Sequence, residues 1–259
     1  HMFSFIFFNL FSSLIFPFLY ISAQEPFLMQ KDEEENIEKS IQVKIRQGFI
    51  HKVFGIVTYQ MLLLFIMVYI GFINKTFRDW LLTSLTMAII TIIITFTCLF
   101  APLFKPSIYQ KVPTNYIVLT IFTLSYSWWI AAYTVRFTQS SVLFAMFLTV
   151  FMVSCLTVYA FATKNDFSTM GAFLFNALSM LIVVSIIQIF VRIPLLYLIE
   201  IYGGLIIFSL YLIYDVQLIA GKGAVKFSED DYILAAINLY LDIIGIFVRI
   251  LEIFGTRDS

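Results

Sequence analysis

Seven runs of about twenty apolar residues, near 53–73, 80–100, 116–135, 142–162, 168–191, 196–218 and 232–254, leave this chain little choice of architecture. That is the length a helix needs to cross a bilayer. Backbone polar groups cannot go unpaired in hydrocarbon, so the runs read as helices and not as strands. The breaks carry Lys75 and Arg78, Pro102 and Pro106 with Lys105 and Lys111, Arg136, Lys164 with Asp166, Arg192 with Pro194, and Lys222 with Lys226. Each break is short, so neighbouring helices should be antiparallel and packed. The expected fold is all-α, a multi-pass membrane bundle of seven transmembrane helices. Only 12% of the residues are charged, against about 25% in an ordinary soluble domain.

The same residues exclude several functions. The formal net charge is zero and the basic residues are scattered, so the clustered footprint of a nucleic-acid binder is missing. Cys98 and Cys155 stand in different apolar runs and read as small buried hydrophobes, with no spacing for a disulfide framework or zinc. Neither histidine has a partner arrangement for catalysis or metal binding; His51 reads as an interfacial residue. No Gly-rich phosphate loop or nucleophile motif occurs, so neither an enzyme nor a bound cofactor is expected. The 30 phenylalanines read as lipid-facing bulk.

Basic residues flanking the spans orient the chain. Lys39, Lys44, Arg46 and Lys52 precede the first span, with Lys105, Lys111, Lys164, Lys222 and Lys226 on the same side; Lys75, Arg78, Arg136, Arg192 and Arg257 lie opposite. The bias places residues 22–52 in the cytoplasm or its equivalent. Residues 1–24 form an apolar segment that reads as a signal anchor or an extra N-terminal helix. Ser22-Ala23-Gln24 resembles a cleavage site, but a basic n-region is missing and cleavage would oppose the charge bias. Residues 25–47 read as a polar cytosolic tail and 48–259 as the transmembrane domain. The acidic run Asp32–Glu35 lacks the loop spacing and turn glycine of a calcium site and reads as solvated and mobile.

Two aspartates, Asp215 and Asp242, stand inside the last two apolar runs. A carboxylate at membrane depth is costly and should face a protein interior or a watery path, paired or protonated. Tyr211 and Asp215 share a helix face, and Glu200 falls about 60° away on the same wheel. Gly203-Gly204 lies between them, where small residues allow another helix to come close. In the last run Asn238, Asp242 and Arg249 form a polar stripe, with Glu252 three residues beyond Arg249. Such a helix should be central, because lipid exposure would strand Asp242 and Arg249. Residues 220–231 connect the two runs into a hairpin, which brings Asp215 and Asp242 to comparable depth if either helix tilts or the sixth extends to Gly221. Two carboxylates in one site cannot both ionise cheaply, so a meeting pair would hold one proton and titrate as a unit. Together with tyrosine hydroxyls and water they would form a weak, transient calcium contact, not a tight store. The alternative is that both cap or hydrogen-bond helix backbone. Glu200 and Glu252 read as interfacial, with Arg249 snorkelling or paired. Ser228-x-x-Asp231 before Tyr232 reads as a helix cap.

The chain resembles the transmembrane Bax inhibitor motif family, most closely its lifeguard branch. The resemblance rests on Gly48-Phe-Ile-His-Lys-Val-Phe54, Pro113-Thr-Asn-Tyr-Ile-Val-Leu-Thr-Ile-Phe-Thr-Leu124, Thr163-Lys-Asn-Asp-Phe167, Tyr214-Asp-Val-Gln-Leu218, Ser228-Glu-Asp-Asp-Tyr232, Asn238-Leu-Tyr-Leu-Asp-Ile-Ile244 and Phe254-Gly255-Thr256. It covers residues 44–257 in order. The resemblance implies a seven-helix bundle with the last helix central, and a calcium leak across an intracellular membrane that responds to pH through two aspartates matching Asp215 and Asp242. It further implies a cell-protective, anti-apoptotic role, as in animal members. Two departures stand out. His51 occupies a position that is usually basic, and an arginine that pairs with the aspartates in some relatives has no counterpart between Thr83 and Phe100, leaving Arg249 as the candidate substitute.

The expected function is therefore a pH-modulated calcium leak, with calcium as the permeant ion and membrane lipids as surroundings. Its competitors are a non-conducting scaffold or accessory subunit with membrane-protein partners, and a proton-coupled transporter. The endoplasmic reticulum or Golgi is expected ahead of the mitochondrial inner membrane.

Overall fold

A computed structural model describes residues 33–105 and 107–258, and the readings made for the N-terminal apolar segment lie outside them. Among the described residues the chain forms nine helices: α1 (Glu33–Ile73), α2 (Lys75–Thr83), α3 (Leu85–Phe104), α4 (Ser107–Gln110), α5 (Thr114–Thr134), α6 (Gln139–Ala162), α7 (Gly171–Phe190), α8 (Pro194–Ala220) and α9 (Tyr232–Phe254). Seven of these, α1, α3 and α5 to α9, are long and apolar enough to span a membrane, so the chain is a multi-pass helical membrane protein.

Two boundaries differ from the sequence reading. The tract taken as mobile is helical from Glu33, and α1 runs without a break into the first span. The second apolar run is cut at Ser84. Asn74 ends α1 and caps α2 by accepting from Phe77 N at 3.0 Å, and Ser84 Oγ accepts from Met87 N at 3.4 Å to start α3. Short polar side chains satisfy helix-end N–H groups in this way, which turns one predicted span into a short surface helix and a spanning one.

The last helix is the axis of the bundle. In α9, 61% of the span is buried, against 11% in α7, which packs chiefly on α8. Ile233, Leu239, Tyr240, Ile244, Ile246 and Leu251 are all but inaccessible, and helices α1, α5, α6 and α8 surround them. A helix that carries Asp242, Arg249 and Glu252 among its apolar residues suits only such a position, because lipid exposure would leave them without partners. Cys98 is buried, but Cys155 is on the outer surface of α6, contrary to the expectation for it.

Bundle ends are tied by specific bonds. Gly221 closes α8 in the left-handed conformation at φ 68°, which favours glycine. Arg46 of α1 donates to Phe227 O at 2.8 Å and to Leu218 O, placing a cation on the exposed carbonyls of the α8 C-terminus. At the other end the C-terminal tail bridges Phe137 through Arg257, and Arg78 pairs with Asp258 at 2.9 Å.

Candidate functional site

Helices α8 and α9 run antiparallel in a register that can be followed side chain by side chain. Tyr211 lies beside Asp242. A Cβ on Gly245 would stand 2.5 Å from the Phe208 ring, and one on Gly204 would stand 2.6 Å from Arg249 Nε. Gly204 is thus the member of the glycine pair that admits α9, while Gly203 meets nothing within 4 Å.

This register brings the two aspartates together. Asp215 is 3% exposed and Asp242 5%, and their carboxyl groups face each other at close range. The extension of α8 to Ala220 supplies the condition set for their meeting. Contact between two carboxyls requires a proton on one of them. Asp242 Oδ2 is buried and accepts from no donor among the described residues, and no ion pair there joins either aspartate to a basic side chain. Tyr211 lies beside both carboxyls and Tyr214 beside that of Asp215, with its hydroxyl against Gly171 at the start of α7. Asn238 is half-buried one turn before Asp242, and no hydrogen bond joins it to either carboxyl.

Arg249 and Glu200 form a separate station. Arg249 Nη1 donates to Glu252 Oε2 at 2.8 Å, and Nη2 lies 3.8 Å from Glu200 Oε1. Ser185 Oγ donates to Glu200 Oε1 at 2.7 Å and Tyr133 OH to Glu252 Oε1 at 2.9 Å. These groups are largely buried, with side-chain exposures of 14% for Arg249, 17% for Glu200 and 12% for Glu252. The acids are therefore not simply interfacial, and Arg249 is not the substitute cation for the aspartates. Seven residues separate it from Asp242, about 10 Å along the helix.

Gln217 is not singled out by the sequence, and Arg46 is read there only as an orienting cation. Gln217 is buried; its Oε1 accepts from Phe167 N at 2.7 Å and its Nε2 donates to Asn165 O at 2.9 Å. Two stretches that carry the family resemblance, 163–167 and 214–218, are thereby bonded to each other half a turn from Asp215. Their separation of 52 residues hides the link from any local pattern. The Ser228 cap does not form: Asp231 occupies the N-cap of α9 without a side-chain cap bond, and its Oδ1 accepts from Gln110 Nε2 at 3.0 Å.

Comparison with known proteins gives a consistent picture. Residues 46–259 match the family described as inhibitor of apoptosis-promoting Bax1. The chain is similar to Protein LIFEGUARD 4 of Arabidopsis thaliana, 38% identical over 83% of this chain and 87% of the relative. It is likewise similar to Protein lifeguard 3 of Mus musculus, 31% identical over 83% and 71%. The Golgi anti-apoptotic protein of Vaccinia virus (strain Lister) is 32% identical over 85% of this chain and 90% of the viral protein.

Proposed function

The chain belongs to the family of inhibitors of apoptosis-promoting Bax1, and from that premise we propose that it is a cell-protective membrane protein whose activity is a pH-modulated calcium leak across an intracellular membrane. The observation that carries this reading is the contact between Asp215 and Asp242, buried at membrane depth with no basic side chain of the described residues paired to either. A proton shared by the carboxyls ties α8 to α9. Its loss leaves two adjacent negative charges, which repel or draw in a cation.

Calcium takes six to eight oxygen ligands, so two carboxylates with water would touch a passing ion without storing it. Phe208 against Gly245 separates this contact from the Arg249, Glu200 and Glu252 station. In the latched form an apolar ring thus stands between two polar sites along α8 and α9. Leak should begin when the pair loses its proton and the helices part at that ring. The names of relatives, an anti-apoptotic Golgi protein among them, support a protective role and an endomembrane location.

Reconstitution of the purified chain into calcium-loaded liposomes tests the reading. Efflux above that of protein-free liposomes, rising from pH 5 to pH 8, is the expected result; efflux equal to the protein-free control at every pH would exclude a leak.

A further inference from the structure

A cavity of about 310 Å³ lies at the elbow between α2 and α3, against the C-terminal half of α5. This is the end of the bundle away from the α8–α9 hairpin and separate from the carboxylate pair. Its volume falls in the range of small-molecule pockets, roughly 300–1,000 Å³. Much of the wall is leucine and alanine from α2, α3 and α5. The remaining lining side chains are polar or amphipathic, and their hydrogen bonds can be counted.

Three of them are already used. Thr83 Oγ1 donates to Asp79 O at 2.7 Å, Ser84 Oγ accepts from Met87 N at 3.4 Å, and Tyr133 OH donates to Glu252 at 2.9 Å. Two are not. The indole Nε1 of Trp129 is buried with no hydrogen-bond partner, and the guanidinium of Arg136, on an exposed residue, bonds to no acceptor among the described residues. Only the backbone of Arg136 is engaged, accepting from Asp258 N at 2.9 Å.

Both unused groups are donors, and one carries a fixed positive charge. A ligand that engaged both groups would be an acceptor, best an anionic one. The site lies where a spanning helix ends, beside α2 with its half-exposed Trp80, and Trp80 packs edge-on to Trp128 at 4.3 Å. Tryptophan, tyrosine and arginine together at a helix end mark the headgroup level of a bilayer. We propose that this cavity seats the phosphodiester of a bilayer phospholipid, with Arg136 and the Trp129 indole as donors to its oxygens and the leucine-lined wall against its glycerol and acyl carbons.

Native mass spectrometry of the full chain in detergent tests this with phosphatidylglycerol, diacylglycerol of the same acyl chains, and inorganic phosphate. One phosphatidylglycerol per chain should bind saturably, about tenfold more weakly in Arg136→Gln and a few-fold more weakly in Trp129→Phe, since each change removes donors to a charged acceptor. Arg136→Lys keeps the charge and should retain most of the affinity, which separates loss of the site from loss of the fold. Diacylglycerol should bind at least about tenfold more weakly than the phospholipid. Unchanged phospholipid binding in Arg136→Gln, or diacylglycerol binding as tightly as phosphatidylglycerol, would overturn the assignment. So would inorganic phosphate occupying the site as well as the lipid does.

Discussion

Arg249 donates to Glu252 at 2.8 Å, one turn further along α9, and is held there by Glu200 from the facing helix. The only cation in the stripe shared with Asp242 is thus committed to two other acids. A buried carboxylate needs a cation, a metal or a proton. With the arginine committed, a proton shared with Asp215 would meet that need for Asp242.

Removing the arginine should be costly. Arg249→Met strands two largely buried carboxylates and is expected to destabilise the protein by about 3 kcal/mol, because breaking a buried ion pair leaves an uncompensated charge. Thermal unfolding in detergent checks this. A double change of Glu200→Gln and Glu252→Gln in the Arg249→Met background should restore much of the loss, and failure to do so would argue that packing of the arginine stem matters more than its charge.

Gln217→Leu should cost about 1–3 kcal/mol, since it leaves the Phe167 N–H and the Asn165 carbonyl without their partner. Proteolysis of the 163–170 loop should accelerate with it. A loop cut at the wild-type rate would show that the glutamine does not hold it.

How far the sequence could lead is seen in four residues. Asp215 and Asp242 were legible because carboxylates in apolar helices are conspicuous and a hairpin fixes their approach. Gln217 was not, since one amide in an apolar helix is unremarkable and its partners are 50 and 52 residues away in sequence. Arg249 is legible as a paired or snorkelling cation, and it pairs with Glu252 and Glu200; what stays hidden is that it does not serve the aspartates, since the seam of α9 shows which groups share a face, while the register against α8 decides which of them meet Glu200. The split at Ser84 is hidden from the sequence for a local reason. Periodicity carries through Thr83-Ser84 between Leu82 and Leu85, and only the capping geometry reveals that the helix stops and restarts.

The loops at the hairpin end carry a weak acid-sensitive tie. The Ser168 hydroxyl, followed by the backbone N–H groups of Ala224 and Ser168, holds the Asp166 carboxyl below the usual carboxylate range. A folded-state pKa below the unfolded value of about 3.9 means that the tie is in place above that pH and is lost as pH falls through the lower folded value. Amide exchange at Ala224, corrected for intrinsic rates, should be flat from pH 5 to pH 8 and rise under stronger acid. Exchange that rises already between pH 7 and pH 5 would point to another group.

Phe208→Ala should raise the basal leak several-fold at pH 5, where the proposed latch would be closed, by removing the ring that packs on Gly245 between the two polar stations. Calcium efflux from liposomes at fixed pH provides the measurement. An unchanged basal leak would place the constriction elsewhere.

The central claim is that Asp215 and Asp242 act as one proton-holding latch, and its most direct measurement is the pH profile of calcium efflux for the wild type, Asp215→Asn, Asp242→Asn and the double variant, each reconstituted at equal density. An asparagine facing an aspartate keeps a donor in the contact at every pH. Efflux should therefore rise with pH in the wild type and stay flat between pH 5 and pH 8 in all three variants, the double variant adding nothing beyond the singles. Single variants that reproduce the wild-type profile would contradict the account.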